Sequence, residues 1–147
     1  YIGINDTFKI KDDSFRIDIL GPINKYKEVN SNSIVLKIKI YNTTFLYTGD
    51  MTSEEENDLI LKYNDKLKSN ILKVGHHGSN TSTTDEFLNM VNPDISIVSV
   101  GLNNKYNLPD ESIINKLNKT SKVYETRYSG NIDIFVYKNK RYVHTYK

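Results

Sequence analysis

Two adjacent histidines, His76 and His77, stand between Gly75 and Gly78, and Asp50 follows Thr48 and Gly49. Imidazole nitrogen and carboxylate oxygen are good ligands for zinc, manganese or iron, and a carboxylate can bridge two such ions. No cysteine occurs in the 147 residues, which excludes disulfides, thiolate metal sites and a cysteine nucleophile. Any metal therefore has to be held by His, Asp, Glu or water. Ser79 and Ser82 follow the histidines and can meet an oxyanion or satisfy their own turn. Taken alone, Asp50 also fits a turn or helix cap, and a glycine-flanked histidine pair also fits a solvated turn. Their placement relative to the surrounding elements favours the metal reading. His144, beside lysines and tyrosines near the C-terminus, is read as structural.

The elements that must position these residues follow from apolar periodicity. Residues 15–20 alternate, with Phe15, Ile17 and Ile19 on one face, and stop at Gly21-Pro22. Residues 33–41 alternate again, with Ile34, Leu36, Ile38 and Ile40 inward and Lys37 and Lys39 outward, and pair with 44–48 across Asn42-Thr43. A helix is expected over 53–68, with Ser53 and Glu56 as capping box and Leu59, Ile60, Tyr63 and Leu67 at helical spacing. Residues 71–74 form a strand, and Thr83 and Glu86 cap a second helix. Residues 94–100 read as a central strand, apolar on both faces. Pro109-Asp110 opens a third helix, and 122–126, 131–137 and 141–146 read as strands, the last two a hairpin. The order predicts an α/β chain with a mixed sheet and helices on one face. Three polar clusters then fall at consecutive strand ends: 48–50, 75–79 and 99–104. Ligand sites in open α/β sheets form at such ends, so Asp50 is expected close to His76 and His77.

On these residues the sequence resembles the metallo-β-lactamase superfamily. The carrying motifs are Phe-Leu-Tyr-Thr-Gly-Asp at 45–50, Ile-Leu-Lys-Val-Gly-His-His-Gly-Ser at 71–79 with Ser82, and Asn-Pro-Asp with Ser-Val-Gly within 92–101. The pattern continues through Asn104, Lys105, Tyr106, Pro109, Thr126 and Gly130, and is most similar to the branch that holds the C-terminal domain of ComEC-like DNA-uptake channel proteins and their soluble relatives. The resemblance implies an αββα sandwich with one or two divalent ions, zinc or manganese, and hydrolysis of phosphodiesters. By position, Asp50 matches the bridging carboxylate, His77 a metal ligand, and His76 the catalytic neighbour that faces substrate. Ser79, Ser82 and Asn104 are the substrate-binding candidates. The family's H-x-[HD]-x-D-H stretch does not occur in these residues, and Leu108 stands where relatives often carry histidine. Residues 1–147 are therefore expected to be one partial domain, the C-terminal half of the sandwich, incompletely liganded and inactive by itself.

Composition narrows the other readings. The chain has 20 Lys+Arg against 18 Asp+Glu, a net charge of +2, too little to argue for nucleic acid on electrostatics alone. A mean hydropathy of -0.55 describes a globular chain, and no apolar run approaches the ~20 residues of a membrane span. The chain opens on Tyr1, which fits a fragment or processed chain. The alternatives are a non-catalytic fragment that self-associates through an exposed sheet face, and an anion- or nucleic-acid-binding module without hydrolysis. The expected partners are the missing N-terminal half or a second copy, with DNA as partner of the longer protein. A stand-alone hydrolase would be cytoplasmic; a channel-protein domain would face the outside of the cell envelope. The eleven tyrosines are taken as strand and core surface because they do not cluster in sequence.

Overall fold

The structure, a computed structural model, describes residues 3–9 and 14–147. Strands β1 (Thr7–Lys9), β2 (Phe15–Gly21), β3 (Val35–Ile40) and β4 (Thr43–Tyr47) form an antiparallel meander. Strands β5 (Ile71–Lys73), β6 (Ile95–Val98) and β7 (Lys122–Glu125) continue the sheet in parallel, so that spatial order equals chain order from β1 to β7. The parallel steps need crossovers, supplied by α1 (Ser53–Tyr63), α2 (Asp85–Val91) and α3 (Glu111–Thr120). A single turn, α4 (Thr126–Ser129), leads into a separate hairpin of β8 (Asn131–Tyr137) and β9 (Lys140–Tyr146).

The helices cover one face of the sheet. Leu59, Phe87, Leu88, Val91, Ile113 and Leu117 from the three helices pack on Val35, Leu46, Leu72 and Val98 in one buried core. Phe87 and Leu46 are among its largest fully buried side chains. The register places Ile17, Ile38, Phe45, Ile71 and Ile95 in a row on the other face, with Ile19, Leu36, Tyr47, Lys73 and Ile97 in the next. Hairpin β8–β9 covers part of that far face: Ile132 and Ile134 close a cavity floored by Ile38, Phe45 and Ile97, Asn42 donates to Asn139, and Arg141 pairs with Asp94 at 2.8 Å. Phe45 and Ile71 are buried there, while Tyr47 stays 42% exposed.

The structure amends several expectations. Lys37 does not face out with Lys39 as a solvated residue. It lies on the helix side, where it donates to the carbonyls of Lys66 and Lys68 at the ends of the turn after α1, and burial holds its ammonium below the usual lysine range. Ile34 precedes β3 and is 63% exposed. The turn between β3 and β4 is Tyr41-Asn42, with Tyr41 at φ 50°, because Thr43 already pairs with Ile40. β6 is next to the edge strand rather than central. Residue 126 begins a helical turn instead of ending β7.

Both capping boxes are shifted. Thr52, not Ser53, is the N-cap of α1, and Thr84, not Thr83, is that of α2, its hydroxyl accepting from Phe87 N at 3.2 Å. Glu56 leaves its own helix end altogether. Its carboxylate accepts from the backbone N–H of Thr83 and Thr84 and from the Thr84 hydroxyl, so a residue of α1 caps α2. Three of the tyrosines come together in space: Tyr137, Tyr142 and Tyr146 share with Phe135 the outward face of β8–β9, exposed by 48–63%, and His144 stands edge-on to Tyr146 at 4.5 Å.

Candidate metal centre

Three loops meet where the parallel strands end. The loop after β4 carries Thr48, Gly49 and Asp50; the loop after β5 carries residues 75–79; the loop after β6 carries Ser99 and Val100. They are stitched by main-chain and hydroxyl bonds. His76 N donates to Gly49 O at 3.1 Å, Thr48 Oγ1 to Lys73 O at 2.9 Å, and Thr126 Oγ1 to Val100 O at 2.9 Å while accepting from Val100 N at 2.7 Å.

Asp50 and His77 face each other, Oδ1 to Nε2, at 3.5 Å, both about half exposed. Each is oriented from behind. Asp50 N donates to Ser33 Oγ at 3.0 Å, and His77 Nδ1 lies 2.6 Å from the Ser99 carbonyl. A carbonyl only accepts, so Nδ1 carries the proton and donates. In the neutral ring, Nε2 then presents its lone pair to a carboxylate oxygen. With that ring neutral two acceptors face one another, an arrangement that a cation between them stabilises, be it a metal ion or a proton on Nε2. A histidine oriented through its second nitrogen by a carbonyl is the usual partner arrangement of a metal-binding imidazole.

The donor set fits a divalent ion in kind and is short in number. Among the described residues no group of three or more His, Asp or Glu side chains converges on one point. Asp50 and His77 would hold the ion, and further ligands have to come from elsewhere or from water. Four-coordinate zinc sites with catalytic function use three protein ligands.

His76 and His77 both adopt left-handed backbone, at φ 44° and 54°. Such conformations cost of order 1–3 kcal/mol each for residues other than glycine. They turn the two rings apart. His76 is gripped by both nitrogens, Nε2 3.3 Å from Asn30 Nδ2 and Nδ1 3.1 Å from Thr81 Oγ1. Ser82 is buried and donates to Gly75 O and Ser79 O. Ser79 pairs with Thr81 Oγ1 at 3.0 Å. The Asn104 amide folds its own loop, donating to Gly101 O and Leu108 O and accepting from Tyr106 N and Leu108 N. The structure thus brings Asp50, His76 and His77 together, makes Ser79 and Ser82 part of the histidine loop, and places Asn104 in a neighbouring loop.

Ser33, Asn30, Thr81 and the Ser99 carbonyl were not singled out by sequence. Asn30 lies in the polar stretch 24–32, which reads as a loop, Ser33 reads as the first residue of the strand 33–41 although β3 starts at Val35, and a backbone carbonyl leaves no mark in sequence. Lys73 was legible only as a polar residue within an apolar strand.

Gly78 closes the histidine loop at φ +81°, and a Cβ there would stand 2.6 Å from Pro109 Cβ. Its carbonyl accepts from Asp110 N, the cap of α3, at 2.9 Å. Gly78→Ala is expected to cost about 2–4 kcal/mol, combining left-handed strain with overpacking. Urea unfolding measures it, and a midpoint equal to that of wild type would show that the loop relaxes freely.

Residues 24–101 match the family model described as the metallo-beta-lactamase superfamily. Among curated proteins the chain is similar to ComE operon protein 3 of Bacillus subtilis, 33% identical over 139 residues, 92% of this chain and 17% of that protein. It is also similar to competence protein ComA of Neisseria gonorrhoeae, 38% identical over 102 residues, 69% of this chain and 15% of that protein. Recombination protein 2 of Haemophilus influenzae is 32% identical over 124 residues, 83% of this chain and 15% of that protein. The chain thus spans less than a fifth of the length of these relatives.

Proposed function

Because the chain belongs to the metallo-beta-lactamase superfamily, we propose that it forms part of a divalent-metal-dependent phosphodiesterase acting on DNA during its uptake. The observation that carries this is the 3.5 Å approach of Asp50 Oδ1 to His77 Nε2, each residue held from behind by Ser33 or by the Ser99 carbonyl. Zinc or manganese bound there would polarise a phosphoryl oxygen and supply hydroxide at neutral pH. The chain's own residues have narrower tasks. Asp50 and His77 would fix the position of the ion, the Ser99 carbonyl keeps the His77 proton on Nδ1, and His76, beside the site, would serve as proton donor or charge stabiliser only on exchanging its Asn30 or Thr81 partner for the substrate. The relative in Neisseria gonorrhoeae is named a competence protein, which supports DNA as substrate.

We place the remaining ligands on another segment of a longer protein. Two features support this. The far sheet face is covered only in part by β8–β9, with Tyr47 and Leu102 open to solvent, and the chain spans 15–17% of the relatives. A second copy of the chain is the other source of cover, and mass in solution separates the two.

The test is hydrolysis of bis(4-nitrophenyl) phosphate and of a DNA oligonucleotide by the longer protein that carries this chain. Activity is expected to vanish on chelation and to return with manganese or zinc, while residues 1–147 alone stay near background. Chelator-insensitive hydrolysis, or none under any divalent ion, overturns the reading.

A further inference from the structure

The loop that runs from residue 99 to residue 110 has both feet on the histidine loop. At one end the Ser99 carbonyl accepts from His77 Nδ1 at 2.6 Å. At the other, Asp110 N donates to Gly78 O at 2.9 Å, and Pro109 lies so near Gly78 that a Cβ there would stand 2.6 Å from it. Between the feet one side chain braces the arch. Asn104 donates to the carbonyls of Gly101 and Leu108 and accepts from the N–H groups of Tyr106 and Leu108. All of these bonds end on main chain, so the side chains of Lys105 and Tyr106 take no part in them.

Those two side chains are what the arch displays. Tyr106 is 69% exposed, and Lys105 is exposed with its Nζ 4.9 Å from the centre of the Tyr106 ring. No carboxylate forms an ion pair with Lys105 among the described residues. The carboxylate nearest to it in sequence, Asp110, accepts from Ser112 and Asn80. Residues 100–102 border the cleft on the far sheet face, but Lys105 and Tyr106 do not line it. Cover of that face by another segment therefore does not by itself bury them. Most of the ring and the whole ammonium are left to meet a ligand at the edge of the sheet that carries the metal centre.

Chain length ties the pair to that centre. Tyr106 is three residues from Pro109, which packs on the residue after His77, so the Cα atoms of Tyr106 and Pro109 lie within roughly 11 Å of each other. Phosphates follow at about 3.4 Å along the axis of a stacked strand, so this reach is about three nucleotides. We propose that Lys105 and Tyr106 grip a single DNA strand within about three nucleotides of the linkage at the Asp50–His77 pair. The ring stacks on an unpaired base, and the ammonium, a compact point charge, meets the adjoining phosphate. The inference rests on the phosphodiesterase reading and adds the residues that select an unpaired strand. A duplex keeps the faces of its bases against one another, where a tyrosine does not reach them. Because Asn104 fixes the arch before the strand arrives, little loop ordering is left to oppose binding.

Binding tests this apart from hydrolysis. The longer protein, stripped of metal so that nothing is cleaved, is titrated with a fluorescein-labelled single-stranded DNA of about ten nucleotides over a range of salt, and anisotropy is read. Tyr106→Ala is expected to weaken binding about tenfold, the loss of one stacked base, and Tyr106→Phe to keep most of the affinity. Lys105→Gln is expected to lower the slope of log K against log salt by about 0.7, one single-strand phosphate contact. On a strand made abasic throughout there is nothing to stack, so the gap between wild type and Tyr106→Ala should close. Wild type that does not bind, a Tyr106→Ala protein as tight as wild type, or an unchanged slope in Lys105→Gln overturns the proposal. So does an equal loss by Tyr106→Ala on the natural and the abasic strand. Manganese-dependent hydrolysis of bis(4-nitrophenyl) phosphate by wild type is scored separately. Wild type that cleaves it while both variants bind DNA unchanged keeps the hydrolase and loses the grip. Wild type that binds through both residues and cleaves no phosphodiester keeps the grip and loses the hydrolase.

Discussion

Replacing Asp50 with alanine in the longer protein is expected to abolish metal-dependent phosphodiester hydrolysis and to leave the fold intact. The side chain is 43% exposed and makes no hydrogen bond that secures a neighbouring element; its backbone N–H, not its carboxylate, holds Ser33. Loss of the carboxylate removes one of the two ligands that we propose this chain supplies. Altering a group that merely orients a metal ligand costs about 10–100-fold in affinity or activity, and removing the ligand should exceed that. His77→Ala is expected to do the same, whereas Ser33→Ala should lower activity less, because it only frees the loop that carries Asp50. Manganese affinity, measured by calorimetry alongside turnover, supplies the discriminating readout. Asp50→Ala protein that binds manganese as tightly as wild type would place the metal elsewhere.

The site was more legible in this sequence than the packing around it. Glycine-flanked Asp50 and His77 follow short apolar runs, and parallel neighbours bring strand ends together, so pattern and topology sufficed to pair them. What sequence missed acts through backbone or through distant segments. Glu56 satisfies a helix-capping pattern locally, yet its carboxylate reaches the N-terminus of α2, because α1 and α2 pack side by side and two orphan N–H groups there compete for it. Lys37 obeys the strand alternation, but the face taken for solvent is the one the helices cover. β3 carries Val35 on one side and Leu36, Ile38 and Ile40 on the other, so alternation identified a strand without identifying which face lies in the core. The aromatic face of β8–β9 emerges only from the cross-strand register, which sets Phe135 opposite Tyr142.

Glu55 is expected to make the protein less stable as pH rises, and Glu55→Met is expected to remove that dependence. The side chain is fully buried and neither carboxylate oxygen has a partner. It lies at the start of α1 against Gly21, where an added Cβ would fall 2.3 Å from Glu55 Oε1. Its charged neighbours are all unfavourable: burial comes first, then the Asp58 and Glu56 carboxylates, and together they push its pKa up to about 8. Tyr26, whose hydroxyl donates to Asp58 at 2.7 Å, contributes no positive charge. In the unfolded chain the same carboxyl loses its proton near the ordinary value of 4.5. Between that value and about 8 the folded state therefore binds more protons than the unfolded one, so stability falls as pH rises through this window and levels off above it. Methionine has a similar volume, carries no charge and leaves no acceptor unpaired. The gain at pH 8.5 should be about 1–3 kcal/mol, the cost of a buried polar group without partners, and should shrink toward pH 5. Urea midpoints of wild type and Glu55→Met at the two pH values measure it. A variant less stable than wild type at pH 8.5 would mean that the carboxylate is ionised and paired in solution. The consequence reaches the site, because α1 begins at Ser53, three residues after Asp50, and the loop that packs on its first turn carries Asn30 and Ser33 to His76 and Asp50.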